Sequence, residues 1–160
     1  VLSMRFIFII VIVVVSSDVF GQSKAPCGKV YQITDTIPKL LSQKQEIADI
    51  IARKISIPDS LYSKKGRIDI QYIINCNGDN VKFKVLIIHD YDRKPIRNEF
   101  NILGDQLISI LSKDIKWTPA RQEGKNVDFL QILAVEFREG FIGVNLEGDW
   151  FFSQLSVKGN

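Results

Sequence analysis

Apolar positions recur at helical spacing through Leu40, Leu41, Ile47, Ile50, Ile51 and Ile55, while Lys44, Glu46, Asp49 and Arg53 occupy other faces. This predicts an amphipathic helix. Ser42 and Gln45 are spaced as a capping box, and Ile57-Pro58 ends the segment because proline disfavours helical geometry in the residue before it. From Arg67 the period becomes two: Ile68, Ile70, Tyr72 and Ile74 share one face, Arg67, Asp69 and Gln71 the other. Asn77-Gly78 then supplies hairpin turn chemistry, and Val81, Phe83, Val85 and Ile87 continue the apolar face. Leu86 and Ile88 break the alternation, which implies some shielding of the outer face. Residues 89–98 are charged and read as a surface loop. A second helix carries Phe100, Leu103, Leu107, Ile110 and Leu111, and Trp117-Thr118-Pro119-Ala120 closes it. A third strand, 127–138, alternates Val127, Phe129, Leu133, Val135 and Phe137 against Asp128, Ala134 and Glu136.

These elements define an α+β fold of two layers. A strand–helix–strand unit prefers a right-handed crossover with parallel strands, so the third strand runs parallel to the second and antiparallel to the first. The expectation is a three-stranded antiparallel sheet in spatial order two, one, three, with two helices on one face. That order leaves the third strand on an edge, where unpaired amides and carbonyls invite an added strand.

The amino-terminal region changes what counts as the mature domain. Met4-Arg5 precedes a ten-residue apolar run, Phe6–Val15, followed by Ser16-Ser17-Asp18 and Gly21. This is a signal-peptide pattern, too short to span a bilayer core of about 30 Å comfortably. The reading is a signal peptide over 1–21, an extension over 22–39, a domain over 40–138 and an aromatic tail over 139–160. A retained inner-membrane anchor facing the periplasm is the alternative. Export brings Cys27 and Cys76 into an oxidising compartment, where they either pair or stay as two separate thiols.

The 160 residues are 46% apolar and 24% charged, which suits one globular domain. With 21 Lys+Arg against 18 Asp+Glu, the net charge of +3 is too small to argue for a nucleic-acid partner. A single histidine thins the field of enzymes and metal sites.

Ile57-Pro58, Gly66 opening the hairpin, Asn75 and Gly78 at its turn, then Trp117, Pro119-Ala120, Gln122, Gly124-Lys125, Val127 and Phe137 stand in an order that resembles the carboxy-terminal domain of TonB-type energy transducers. The resemblance covers 40–138. It implies a periplasmic module that pairs its last strand with a short extended segment of an outer-membrane receptor and takes part in transmembrane transport. Two departures stand out. Ile57 replaces the aromatic residue usual before the early proline, and about 18 residues separate Gly21 from the first helix, a reach of roughly 60 Å when fully extended. A free periplasmic or secreted TonB-like module therefore fits better than a short membrane-anchored transducer.

The expected partner-binding residues are Asp128, Phe129, Leu130, Gln131, Ile132, Leu133 and Ala134, and the expected disulfide is Cys27–Cys76. No catalytic residue, metal or cofactor is expected, and the partner is a peptide segment of an outer-membrane receptor or another envelope protein. A structural protein self-pairing as a homodimer through the same edge is the second class. The remaining chemical candidates read as structure. His89-Asp90-Tyr91-Asp92 adjoins Arg93 and Lys94, and a Cys76/His89 nucleophile pair would put the thiol beside an exposed turn. Asn75–Asn80 lacks the spaced carboxylates of a calcium loop, and Gly124-Lys125 lacks the glycine spacing of a phosphate loop. Trp117 reads as buried beneath the second helix. For the tail aromatics Phe141, Trp150, Phe151 and Phe152 two readings are open: packing on the domain's own surface, or covering the strand edge through residues 142–152.

Overall fold

The structure, a computed structural model, describes residues 25–90 and 97–155. The apolar run Phe6–Val15 and the loop segment 91–96 lie outside them. In chain order the elements are β1 (Val30–Tyr31), β2 (Lys39–Leu40), α1 (Lys44–Lys54), α2 (Asp59–Tyr62), β3 (Gly66–Ile74), β4 (Asn80–Asp90), α3 (Arg97–Asp114), β5 (Trp117–Thr118), β6 (Ala120–Gln122), β7 (Lys125–Arg138), β8 (Phe141–Leu146) and β9 (Asp149–Gln154).

The fold is α+β, but the expected three-stranded sheet with two helices is overturned. Seven strands form the main sheet, along the path β4-β3-β7-β8-β9 with β1 and β6 also paired to β7; β2 and β5 make a separate two-stranded sheet. Among the described residues three helices replace two, the extra one being the single turn α2. The physical cause lies in the turns. Glu123-Gly124 and Glu147-Gly148 both have two consecutive positive φ angles, the geometry that matches the twist of a two-residue hairpin. They fold β6 onto β7 and β9 onto β8. Gly140, at φ 85°, similarly serves the turn between β7 and β8. The tail is therefore the far side of the sheet. Ile142, Val144 and Leu146 belong to its core, as period-two alternation along β8 requires.

The capping box expected at Ser42 and Gln45 is also corrected. Helix α1 starts after Gln43, and no side chain caps it. Gln45 instead donates from Nε2 to Asp49 Oδ1 and to the carbonyl of Phe152 on β9.

The core lies between one sheet face and the two long helices. Ile68, Ile70, Tyr72 and Ile74 of β3 are fully buried, as are Ile47 and Ile51 of α1 and Leu103, Leu107 and Leu111 of α3. Helix α1 packs against β8 and β9, and α3 against β4. Each such aliphatic side chain contributes about 1.5–3 kcal/mol by leaving water. The broken alternation at Leu86 has a local explanation. Asp69 pairs with Ile87 but its neighbour Ile70 pairs with Val85, so Leu86 is an extra residue in a β-bulge.

Polar groups lock the β3–β4 turn to the end of α3. Asn75 Oδ1 accepts from the amides of Asn77 and Asp79, and the Gly78 carbonyl accepts from the Trp117 amide. Gly78 has φ 82°, and a Cβ there would meet the Trp117 carbonyl oxygen at 1.9 Å, so no other residue fits. Asn80, 2% exposed, donates from Nδ2 to the carbonyls of Leu111 and Ile115 at 2.8 and 3.1 Å. It closes the carboxy-terminal end of α3, whose last carbonyls have no partner within the helix. Replacing Asn80 with alanine is expected to cost about 2–3 kcal/mol, read by urea denaturation, because two buried carbonyls lose their donor.

Tyr72 stacks on Phe83 with ring centroids 5.6 Å apart, and its hydroxyl has no hydrogen-bond partner among the described residues. Burial holds its phenol well above the ordinary value of 10.0. The unfolded chain thus ionises first, leaving stability unchanged below about pH 10 and lowering it by about 1.4 kcal/mol per pH unit above that. Tyr72→Phe is expected to raise stability at neutral pH by about 1 kcal/mol and to remove this part of the alkaline loss, checked by denaturation between pH 8 and 11.

Candidate binding site

The expectation that the third long strand lies on a sheet edge is corrected by the pairing of β7. On one side, Phe129–Phe137 pair with Ile74–Gly66 of β3. On the other, Asp128 and Phe129 pair in parallel with Val30 and Tyr31 of β1, and Ala134–Arg138 pair antiparallel with β8. Between these two partners, Leu130, Gln131, Ile132 and Leu133 have a ladder neighbour among the described residues on the β3 side only. The result is a gap in a central strand. Four residues of extended chain span about 13 Å.

This gap opens into a depression of about 550 Å³ bounded by Gln32 where β1 ends and by Asn145, Glu147 and Gly148 where β8 turns into β9. Arg67 lines it from β3, and Phe129, Leu130, Gln131, Ile132 and Ala134 line it from β7. Ile132 is 51% exposed, unusual for an isoleucine within a long strand. The rim of the gap is held locally. Arg67 Nε donates to Asp69 Oδ1 at 2.7 Å, and Lys44 Nζ donates to Glu147 Oε2 at 2.6 Å. The Glu147 carboxylate holds the Lys44 ammonium above its ordinary value.

The seven residues expected to bind a partner thus divide. Leu130, Gln131, Ile132 and Leu133 face the gap with one side of their backbone. Ala134 is paired on both sides, with Asp69 and Asn145, as is Phe129, with Tyr31 and Ile74. Asp128 is buried, 1% exposed, and serves as an anchor: Oδ2 accepts from the Gly28 amide and Oδ1 from the Cys76 amide, both at 2.9 Å. Gln32, Arg67, Asn145 and Glu147 were not among the expected residues. Arg67 was read only as the polar face of its strand, and nothing in a two-residue β1 marks Gln32 as its neighbour.

Cys27 and Cys76 form a disulfide, leaving no free cysteine among the described residues. The bond suits an oxidising, extracytoplasmic environment. Both sulfurs and the Asp128 carboxylate lie within 4.8 Å of one another, but sulfurs bonded to each other are not the thiolates a metal requires. His89 sits in β4 opposite Arg67. No described helix is long and apolar enough to cross a membrane.

Beside the gap, the sheet face opposite the core carries a planar aromatic surface. Trp150 and Phe152 of β9 stack at 6.0 Å, with Arg67 5.9 Å from the indole centroid and Arg138 5.7 Å from the phenyl centroid. Gly143 makes this possible: a Cβ there would lie 2.5 Å from Phe152 Cε1. Asp69 and Glu136, mostly buried on this face, pair with Arg67 and Arg138.

No family model matches this chain, and no curated protein matches it. The likeness to the TonB family therefore rests on the residues alone.

Asp128→Ala is expected to destabilise the domain by about 2–4 kcal/mol, because two amides lose a charged acceptor at once. Urea denaturation of the oxidised protein measures it, and the disulfide keeps the segment tethered during the comparison.

Proposed function

We propose that the protein is a non-enzymatic periplasmic interaction module, resembling the TonB carboxy-terminal domain, that takes a short extended segment of an outer-membrane receptor or another envelope protein as an added strand. The observation that carries this reading is the interruption in the pairing of β7 at Leu130–Leu133, which opens into the depression beside it. An added strand there supplies the missing neighbour and completes the sheet between β1 and β8.

The size of the gap sets the strength of binding. Half the backbone groups of four residues face one side, giving about four hydrogen bonds worth about 1 kcal/mol each after exchange with water. Association itself costs at least that much. Useful affinity must therefore come from side chains at the rim, and Ile132 is the apolar group placed to supply it. The aromatic surface formed by Trp150 and Phe152 lies on the same sheet face and would meet a chain leaving the gap at Ala134.

The test is fluorescence anisotropy of labelled amino-terminal peptides from outer-membrane receptors against the oxidised protein. Binding is expected, and Ile132→Lys is expected to weaken it at least tenfold while changing stability by less than about 0.5 kcal/mol, the usual range for an exposed position. Absence of binding by every peptide, together with a stable dimer in sedimentation, would favour self-pairing instead.

A further inference from the structure

We propose that the segment carrying β1 is a redox-released cover on β7, with Cys27–Cys76 as its catch. This deepens the reading above, since the strand it covers is the one that carries the gap. Residues 25–31 are held to the domain by few non-covalent contacts. Val30 and Tyr31 make a two-position ladder with Asp128 and Phe129, the Gly28 amide reaches Asp128, and the Ala25 carbonyl accepts from Asn75 Nδ2 at 3.2 Å. Apolar burial adds little, because Val30 is 36% exposed and Ile33 beyond it 87%. The next anchors along the chain are Asp35, which exchanges hydrogen bonds with the Gln122 side chain and accepts from the Glu123 amide at 2.7 Å, then Thr36, bridged to Arg121, and β2, paired with β5. The disulfide is therefore the strongest link between residues 25–31 and the rest of the molecule.

Cys27 is exposed and Cys76 half-buried, so an incoming thiolate reaches the Cys27 sulfur more easily. A dithiol reductant supplies the chemistry. Its thiolate bonds to Cys27 Sγ, the bond to Cys76 Sγ breaks, and Cys76 leaves as a thiolate that takes up a proton. The reductant's second thiol, deprotonated, then attacks its own sulfur in the mixed disulfide and releases Cys27, which also ends as a thiol. The protein gains two electrons and two protons, and the dithiol becomes a disulfide. With the catch open, withdrawal of residues 25–31 lengthens the unpaired stretch of β7 from Leu130–Leu133 to Asp128–Leu133. Asp128 keeps its bond from the Cys76 amide, so the β3–β4 turn stays in place while the cover leaves.

Hydrogen–deuterium exchange of the full chain, before and after treatment with dithiothreitol, tests this. The amides of residues 28–31 are expected to exchange at least tenfold faster after reduction, with β3 and β8 unchanged, and trypsin is expected to cut after Lys29 only in the reduced protein. Cys27→Ser should show the same exchange pattern without reductant. Unchanged exchange at 28–31 in both the reduced protein and the variant overturns the proposal, as does acceleration spread across β3 and β8, which would make the disulfide a support of the whole fold. None of these readouts involves a peptide, so their failure is separable from a failure of peptide binding at Ile132.

Discussion

Backbone pairing along β7 is the constraint on which the rest of the sheet depends. Four strands, β1, β3, β6 and β8, hydrogen-bond to this single strand, and the outer strands β4 and β9 attach only through β3 and β8. Two of the four approach the same side of β7 from opposite ends, β1 in parallel and β8 antiparallel. They stop short of each other. The gap at Leu130–Leu133 is thus a product of topology, fixed by where Gln32 leaves the sheet and where Glu147-Gly148 turns back.

The same strand divides two chemistries. On its core side Leu133, Val135 and Phe137 pack beneath the helices, while its outward residues include Glu136 and, paired with it, Arg138, whose guanidinium lies over the Phe152 ring. A carboxylate in a largely buried position is costly unless a cation stays beside it. The arginines on this face therefore do two jobs, compensating Asp69 and Glu136 and lying over the aromatic rings. Gly143 is what lets the rings lie so close to the sheet.

Much of the interior was legible because long amphipathic elements announce themselves. Ile68–Ile74 alternate over a full strand, and the α3 stripe from Phe100 to Leu111 repeats over several turns, so their burial follows from period alone. The parallel sense of β4 and β7 follows from the crossover, and a hairpin-linked β3 antiparallel to both fits between them. What escaped were pairings made by two or three residues, too short to carry a period: β1, β2, β5 and β6. The β8–β9 hairpin is different. Its alternation, Ile142, Val144 and Leu146, was present, but the tail's aromatics pointed to surface packing or an edge cover, and Glu147-Gly148 is a weaker hairpin signal than Asn-Gly or Asp-Gly. At the candidate site the strand was identifiable and its neighbours were not. Leu130–Leu133 could be named from the third strand, whereas Arg67 and Glu147 join them only through registers set elsewhere.

The position of β7 late in the chain has a consequence for biogenesis. Tyr31 must await Phe129, and Ile74 must await the same residue, so a polypeptide emerging amino end first carries an unfinished seam along β3 until most of it has been made. Such a seam is sticky. The cysteines, by contrast, both belong to the earlier half, and their crosslink can close before the strand it overlies exists. A crosslink closed at that stage ties down the far wall of the slot before the late strand enters it.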